Sequence, residues 1–137
     1  MSEEYVSLER GKILIVDDSR LALRGFVREL QEAGYDVYGA ATGQEAISIA
    51  KTVNLDLVFT DLMMPEMSGT ELCKEMKQIS PNTEVVLVSG YPDQIEKFKT
   101  DFLEAGGKIE ILRKPLGPFE LKNTAAKILK DRAEKKK

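Results

Sequence analysis

Apolar and polar residues of this chain fall into two alternating patterns. Short, continuous apolar runs are typical of strands buried on both faces of a sheet, and apolar residues at every third or fourth position are typical of amphipathic helices. The runs predict five strands, over residues 12–16, 36–40, 55–60, 84–88 and 109–112. A helical pattern follows each strand, and this strict alternation predicts an α/β fold with a parallel sheet between layers of helices.

Residues at the helix ends support this division. Ser19 and Thr42 are predicted N-caps, because their hydroxyl groups can accept hydrogen bonds from free backbone N–H groups. Gly34 is expected to end the first helix, and Gly69 to supply backbone freedom near the start of the third. The fourth and fifth helices are predicted over 92–104 and 116–130, and the core candidates of the fifth are Phe119, Leu121, Ala125, Ile128 and Leu129.

Composition restricts the class of protein. The 137 residues fit one domain, and we expect an extension over 1–10, a folded domain over 11–133 and a basic tail over 134–137. The net charge of −3 argues against nucleic acid as a partner, and no apolar run is long enough to span a membrane. The single cysteine, Cys73, excludes an intrachain disulfide and fits a reducing compartment, so we expect a cytoplasmic protein.

Three aspartates carry the first chemical signal. Asp17 and Asp18 directly follow the first predicted strand, and Asp61 follows the third. The carboxyl ends of parallel strands lie at one edge of a sheet, so these side chains are expected to converge. Converging carboxylates raise one another's pKa unless a hard cation such as Mg²⁺ neutralises them. The pattern therefore indicates a metal-dependent phosphoryl acceptor.

Two further side chains belong to the same predicted edge. Ser89 follows the fourth strand, and Lys114 lies two residues after the fifth. Lys114 precedes Pro115, which favours an extended backbone at the lysine. The chain contains no histidine, so it cannot itself be a histidine phosphodonor.

These residues carry a resemblance to a known family. The segments ILIVDDSR, LVFTDLMMPEMSG, VVLVSG and LRKPL occur in order, each with the expected strand context. Together they resemble a two-component response-regulator receiver domain of the stand-alone, CheY-like type, over about residues 10 to 133. The resemblance implies a doubly wound, flavodoxin-like fold with strand order 2-1-3-4-5.

The resemblance also implies roles for individual residues. Asp61 is expected to accept the phosphoryl group, and Asp17 and Asp18, with Asp61 and the backbone carbonyl of Met63, to bind Mg²⁺, for which Mn²⁺ can substitute. Ser89 and Lys114 are expected to contact the phosphoryl oxygens. The implied partners are a sensor histidine kinase or a histidine phosphotransfer protein. A downstream protein is expected to bind the face formed by the fourth helix, fifth strand and fifth helix.

Three positions depart from the family's pattern or modify it. Receivers often have a switching aromatic residue three positions before the lysine, and here that position is Ile111. The aromatic half of the usual switch is therefore in doubt. Tyr91 and Met63 occupy positions that in the family tune the access of hydrolytic water, and their bulk predicts a persistent phosphorylated state.

Several alternatives stay open at this point. A stand-alone switch, a phosphorelay intermediate and a receiver cut from a hybrid kinase all fit the same residues. A flavin binder on this fold is disfavoured, because Asp17 and Asp18 would repel the FMN phosphate. A hydrolase with an aspartyl-phosphate intermediate would need a carboxylate where Ser19 stands. We therefore expect a signalling switch and not a turnover enzyme.

Overall fold

Five strands form one parallel sheet in the computed structural model, which describes residues 11–135. The strands are β1 Lys12–Val16, β2 Asp36–Ala40, β3 Leu57–Asp61, β4 Glu84–Ser89 and β5 Ile111–Arg113. Their order is β2-β1-β3-β4-β5, and every neighbouring pair is parallel. The predicted doubly wound α/β fold and its strand order are confirmed. A parallel sheet of this kind brings the strand ends that bear the three aspartates to one edge.

Four helices connect the strands, and a fifth follows β5: α1 Arg20–Glu32, α2 Gly43–Thr52, α3 Gly69–Ile79, α4 Pro92–Glu104 and α5 Glu120–Lys135. Ser19 and Thr42 cap α1 and α2 as predicted, since each hydroxyl oxygen accepts a backbone N–H from the first helical turn. Ser68 and Glu71 form a reciprocal capping box at α3. In the described part of the chain, no helix has both the length and the apolar character that a membrane span requires.

The sheet separates two hydrophobic cores. Successive residues of β1 point to opposite faces, so Ile13 and Ile15 enter one core whereas Leu14 and Val16 enter the other. Helices α1 and α5 cover the first face, and α2, α3 and α4 cover the second. Burial on both faces explains why the central strands are continuous apolar runs.

Some predicted boundaries were wrong. Strand β3 begins at Leu57 and includes Asp61 as its last residue, and β5 begins at Ile111 because Ile109 lies outside the sheet, 70% exposed. Helix α5 begins at Glu120 and not at residue 116. Phe119 has a φ of 64°, which is incompatible with a helix, and its ring is exposed with the Lys122 ammonium 4.5 Å from its centroid.

The structure describes nearly all of the C-terminal end of the chain but begins only at residue 11. Helix α5 continues to Lys135, so residues 133–135 are helical and the predicted start of a tail at 134 falls inside the helix. Arg132 ties this end of α5 to the sheet, because its guanidinium pairs with Asp56 and donates to the carbonyl of Asn82. The predicted extension over 1–10 and the last two residues, 136 and 137, lie outside the described residues.

Candidate functional site

The ends of four adjacent strands form one polar edge. Asp17 directly follows β1, Asp61 ends β3, Ser89 ends β4, and Lys114 directly follows β5. Because β1, β3, β4 and β5 are neighbours in a parallel sheet, their carboxyl ends lie side by side. The structure therefore brings together side chains that are far apart in the sequence.

Three carboxylates meet at this edge. Carboxylate oxygens of Asp17, Asp18 and Asp61 all lie within 4.8 Å of one another. Asp17 and Asp61 are buried, whereas Asp18 is exposed to solvent. Three oxygen donors of like charge, open to solvent on one side, form a donor set that suits a hard divalent cation.

Lys114 supplies the positive charge of the site. Its Nζ donates to Asp17 Oδ2 at 2.6 Å and to Asp61 Oδ2 at 3.4 Å. Burial lowers the pKa of Lys114, but the hydrogen bond to Asp17 and the negative charges of Asp61 and Asp17 outweigh burial and leave the pKa above its usual value. The lysine is therefore protonated at neutral pH and neutralises part of the carboxylate charge.

Asp61 remains incompletely satisfied despite this lysine. Burial raises its pKa, and the charge of Asp17 adds to this effect against the opposing influence of Lys114. Its Oδ1 is buried and has no hydrogen-bond partner among the described residues. A buried carboxylate oxygen without a partner is costly, so this atom is suited to ligate a cation or to attack an electrophile. The residues present thus fit the expected metal.

Ser89 is buried beside this edge. Its Oγ accepts the backbone N–H of Tyr91 at 3.3 Å, and within residues 11–135 its own proton is donated to no partner. A hydroxyl with a free donor is able to bind a phosphoryl oxygen. The Tyr91 side chain itself is 60% exposed.

The segment after β3 borders the site next to Asp61. Met63, two residues beyond Asp61, has a side chain that is 44% exposed. Gly69 has no positive φ, so the predicted need for backbone freedom there was wrong. Its role is close packing: the Gly69 N–H donates to the Leu62 carbonyl at 2.8 Å, and a Cβ at residue 69 would overlap the Asp61 carbonyl oxygen.

Sequence reasoning missed two contacts, one to the carboxylate of Asp17 and one to the backbone carbonyl of Asp61. The backbone N–H of Ser19 donates to Asp17 Oδ1 at 2.9 Å, and the buried Thr60 hydroxyl donates to the Asp61 carbonyl at 2.9 Å. The first could have been found from the sequence, because an aspartate two residues before a free N–H commonly forms an Asx-turn. The second had no sequence signal beyond a hydroxyl residue next to Asp61.

A groove opens beside Lys114, between α1 and the segment that follows β5. Its volume is about 670 Å³, and its walls include Phe26, Lys114, Pro115 and Leu116. The Lys114–Pro115 peptide bond is cis. Gly25 lines the groove from α1, and a Cβ added there would meet nothing within 4 Å. The groove therefore leaves open space next to the polar edge that holds Asp61.

The family model of the response regulator receiver domain matches residues 13–126. The chain belongs to this family. Receiver domains are signalling switches of two-component systems, and the predicted family is confirmed.

Individual relatives agree with this assignment. The chemotaxis protein CheY of Thermotoga maritima is 32% identical over 120 residues, which cover 87% of this receiver domain and 98% of CheY. The sensor kinase CckA of Brucella abortus is 35% identical over 119 residues, which cover 85% of this chain and only 12% of the kinase. A CheY-like receiver domain protein of Methanospirillum hungatei has a similar structure, with a TM-score of 0.86 and 28% identity over 93% of this chain and 99% of that one. Receivers like this one thus occur both alone and inside kinases.

Proposed function

We propose that this receiver domain accepts a phosphoryl group on Asp61 in a Mg²⁺-dependent reaction and thereby changes its contacts with other proteins. The observation that carries the proposal is the position of Asp61. Its buried Oδ1 has no hydrogen-bond partner within residues 11–135, its Oδ2 lies 3.4 Å from Lys114 Nζ, and two further carboxylates adjoin it. A nucleophilic oxygen, a fixed positive charge and a cation-binding donor set are the parts that phosphoryl transfer requires.

Each residue has a distinct role in this proposal. A carboxylate oxygen of Asp61 attacks the phosphorus of a phosphohistidine, the P–N bond breaks, and the imidazole leaves with the electron pair. Lys114 pairs with one phosphoryl oxygen, and Ser89 donates a hydrogen bond to another. Asp17, Asp18, Asp61 and the backbone carbonyl of Met63 would hold Mg²⁺, which neutralises the charge of the transferred group when bound; Mn²⁺ can substitute.

The direct test is phosphorylation with acetyl phosphate. Wild type is expected to incorporate one acid-stable, base-labile phosphoryl group in Mg²⁺, and none when EDTA removes the metal. Asp61→Asn is expected to remain unlabelled. Asp131→Asn is the matched control, because Asp131 lies in the last part of α5, away from this edge. Labelling of Asp61→Asn at the wild-type level would refute the assignment.

We infer that the phosphodonor is a sensor histidine kinase or a histidine phosphotransfer protein that docks in the groove between α1 and Leu116. The groove adjoins Lys114, so a helix lying in it would bring a histidine side chain to the edge that holds Asp61. Filling the groove with Gly25→Leu is expected to slow transfer from the kinase at least tenfold while leaving acetyl phosphate labelling unchanged. Equal slowing with both donors would indicate damage to the site instead of lost docking.

The output is proposed to be a protein contact on the face formed by α4, β5 and α5. The hydrogen bond that the Tyr91 N–H, at the start of α4, donates to the Ser89 hydroxyl supports this choice because it connects the proposed acceptor edge to that face. Whether the phosphoryl group ends as a signal or passes on to a phosphotransfer protein stays open. Incubating the phosphorylated domain with candidate phosphotransfer proteins, and following label on histidine, separates the two functions.

A further inference from the structure

Two successive backbone carbonyls are held in place at the end of β3. The hydroxyl of Thr60 donates to the carbonyl of Asp61 at 2.9 Å. The N–H of Gly69 donates to the next carbonyl, that of Leu62, at 2.8 Å. The carbonyl of Met63 follows, and no donor in the described part of the chain binds it. A carbonyl without a donor keeps its lone pairs available for a cation.

Thr60 is a polar residue in an apolar place. It is the only hydroxyl residue of β3, and it is fully buried. The register places it between Val16 of β1 and Leu87 of β4, which both belong to the core under α2, α3 and α4. Among the described residues, its hydroxyl binds only the carbonyl of Asp61. Valine has nearly the same shape and no hydroxyl to desolvate, so packing alone does not account for a threonine here.

The side chain of Thr60 acts on the backbone and not on the carboxylates. Successive side chains of a strand point to opposite faces of the sheet, so Thr60 and Asp61 point in opposite directions. The Thr60 hydroxyl donates to a backbone oxygen and, within the described residues, to no carboxylate. Any effect of Thr60 on the polar edge must therefore pass through the chain that follows it.

The hydrogen bond holds a rigid unit. A peptide bond is planar, so a hydroxyl that holds the carbonyl of Asp61 fixes the whole peptide unit between Asp61 and Leu62. Gly69 lies so close to the same carbonyl oxygen that a Cβ there would overlap it, which restricts rotation further. The Gly69 N–H then holds the next peptide unit. With both units fixed, only the two backbone torsions of Met63 remain to set the direction of its carbonyl.

We propose that Thr60 is a positioning residue of the metal site: its hydroxyl fixes the peptide after Asp61, so that the Met63 carbonyl is presented to the cation. This inference rests on the proposed Mg²⁺-dependent function. The benefit is preorganisation, because a turn that is already held loses little conformational freedom when the cation binds. Thr60 itself contacts neither the cation nor the transferred group.

Metal affinity measures this effect directly. In Thr60→Val, which removes the hydroxyl and keeps the branched shape, the affinity for Mn²⁺ is expected to fall about fivefold, the usual effect of one lost hydrogen bond on an equilibrium. Electron paramagnetic resonance of the free Mn²⁺ follows the titration. Thr60→Ser keeps the donor and should bind Mn²⁺ as tightly as wild type. Thr60→Ala lacks the donor and is smaller, and it should lose the same factor as Thr60→Val.

Thr83→Val is the matched control. Thr83 is also buried, and its hydroxyl also donates to a backbone carbonyl, that of Leu55, at 2.7 Å. It directly precedes β4 and so lies at the opposite edge of the sheet from Asp61. Its Mn²⁺ affinity should equal that of wild type, whatever its stability. Urea unfolding in EDTA verifies that each variant is folded.

Acetyl phosphate labelling separates positioning from general damage. Thr60→Val should be labelled slowly when Mg²⁺ is limiting and at the wild-type rate when Mg²⁺ is saturating, because only its metal affinity is reduced. Wild-type affinity in Thr60→Val, an equal loss in Thr83→Val, or slow labelling that excess Mg²⁺ does not restore would overturn this inference alone. A wild-type domain that binds no divalent cation or takes up no label would overturn the proposed function and, with it, this inference.

Discussion

Lys114 and Asp17 are joined by a short ion pair, with Nζ 2.6 Å from Oδ2. The same ammonium lies farther, at 3.4 Å, from the carboxylate of Asp61. The ammonium is therefore closer to Asp17, a proposed metal ligand, than to Asp61, the proposed phosphoacceptor. It follows that Lys114 and a bound cation compete for the negative charge of Asp17, and that a phosphoryl group on Asp61 would draw the lysine back.

Removal of this charge is expected to strengthen metal binding. Lys114→Met removes the ammonium group that neutralises Asp17 and Asp61. The affinity for Mg²⁺ should therefore rise about tenfold, as expected for the loss of one positive charge a few ångströms away. Phosphorylation by acetyl phosphate should slow in the same variant, because a phosphoryl oxygen loses its partner. Isothermal titration with Mg²⁺ and a labelling time course measure the two effects.

Lys122→Met is the matched control, since the Lys122 ammonium lies over Phe119 and not among the carboxylates. It should change neither quantity. Unaltered Mg²⁺ affinity in Lys114→Met would mean that the lysine does not offset the charge of Asp17 in the metal-free protein.

The raised pKa of Asp61 predicts how stability depends on pH. Burial is the main cause of the shift, followed by repulsion from Asp17. Since the folded-state pKa lies above the unfolded value, the protonated form is favoured by folding, and this contribution to stability is lost as pH rises through the raised pKa. In EDTA at about pH 7, Asp61→Asn should therefore increase the free energy of unfolding, because the neutral amide carries no charge for burial and Asp17 to destabilise.

The same gain should shrink when the pH is lowered through the raised pKa of Asp61, because the wild-type carboxyl group then becomes neutral too. Urea unfolding at neutral and acidic pH measures the difference. Asp131→Asn serves again as the control outside the site. A lower stability of Asp61→Asn at neutral pH would show that Lys114 stabilises the ionised carboxylate more than burial and Asp17 destabilise it.

The sheet and its polar edge could be predicted from sequence because they follow from patterns that act over a few residues. Continuous apolar runs identified the strands, and the residues directly after them identified Asp17, Asp61 and Ser89 as neighbours. The errors arose where long-range packing decides the outcome. Phe119 is apolar and at helical spacing, yet its positive φ keeps it out of α5 and exposed. The cleft between α4 and the segment after β3, lined by Phe98 and Met63, depends on how these two elements pack, which no local pattern encodes.

A long-lived phosphorylated state is expected from Met63 and Tyr91. Both side chains are partly exposed apolar groups next to the acceptor edge, where they can limit the approach of water to an acyl phosphate. Met63→Ala and Tyr91→Ala should each speed the loss of label from phosphorylated Asp61, by up to tenfold together. Leu21→Ala is the control, because Leu21 is an exposed apolar residue on α1. Loss of wild-type label within seconds in Mg²⁺ would contradict the prediction.

Two glycines should respond oppositely to the same substitution. A Cβ at Gly69 would overlap the carbonyl oxygen of Asp61, a backbone atom that can move only if Asp61 moves with it. Gly69→Ala is therefore expected to lower the free energy of unfolding by about 2 kcal/mol and to slow acetyl phosphate labelling.

Gly25 lies within α1, and a Cβ there meets nothing within 4 Å. Gly25→Ala should raise the free energy of unfolding by about 0.5–1 kcal/mol through helix propensity alone and leave labelling unchanged. Urea unfolding and labelling of both variants measure the contrast. Equal stability of the two would show that the segment after Asp61 yields to a methyl group, and that Gly69 does not fix the position of Asp61.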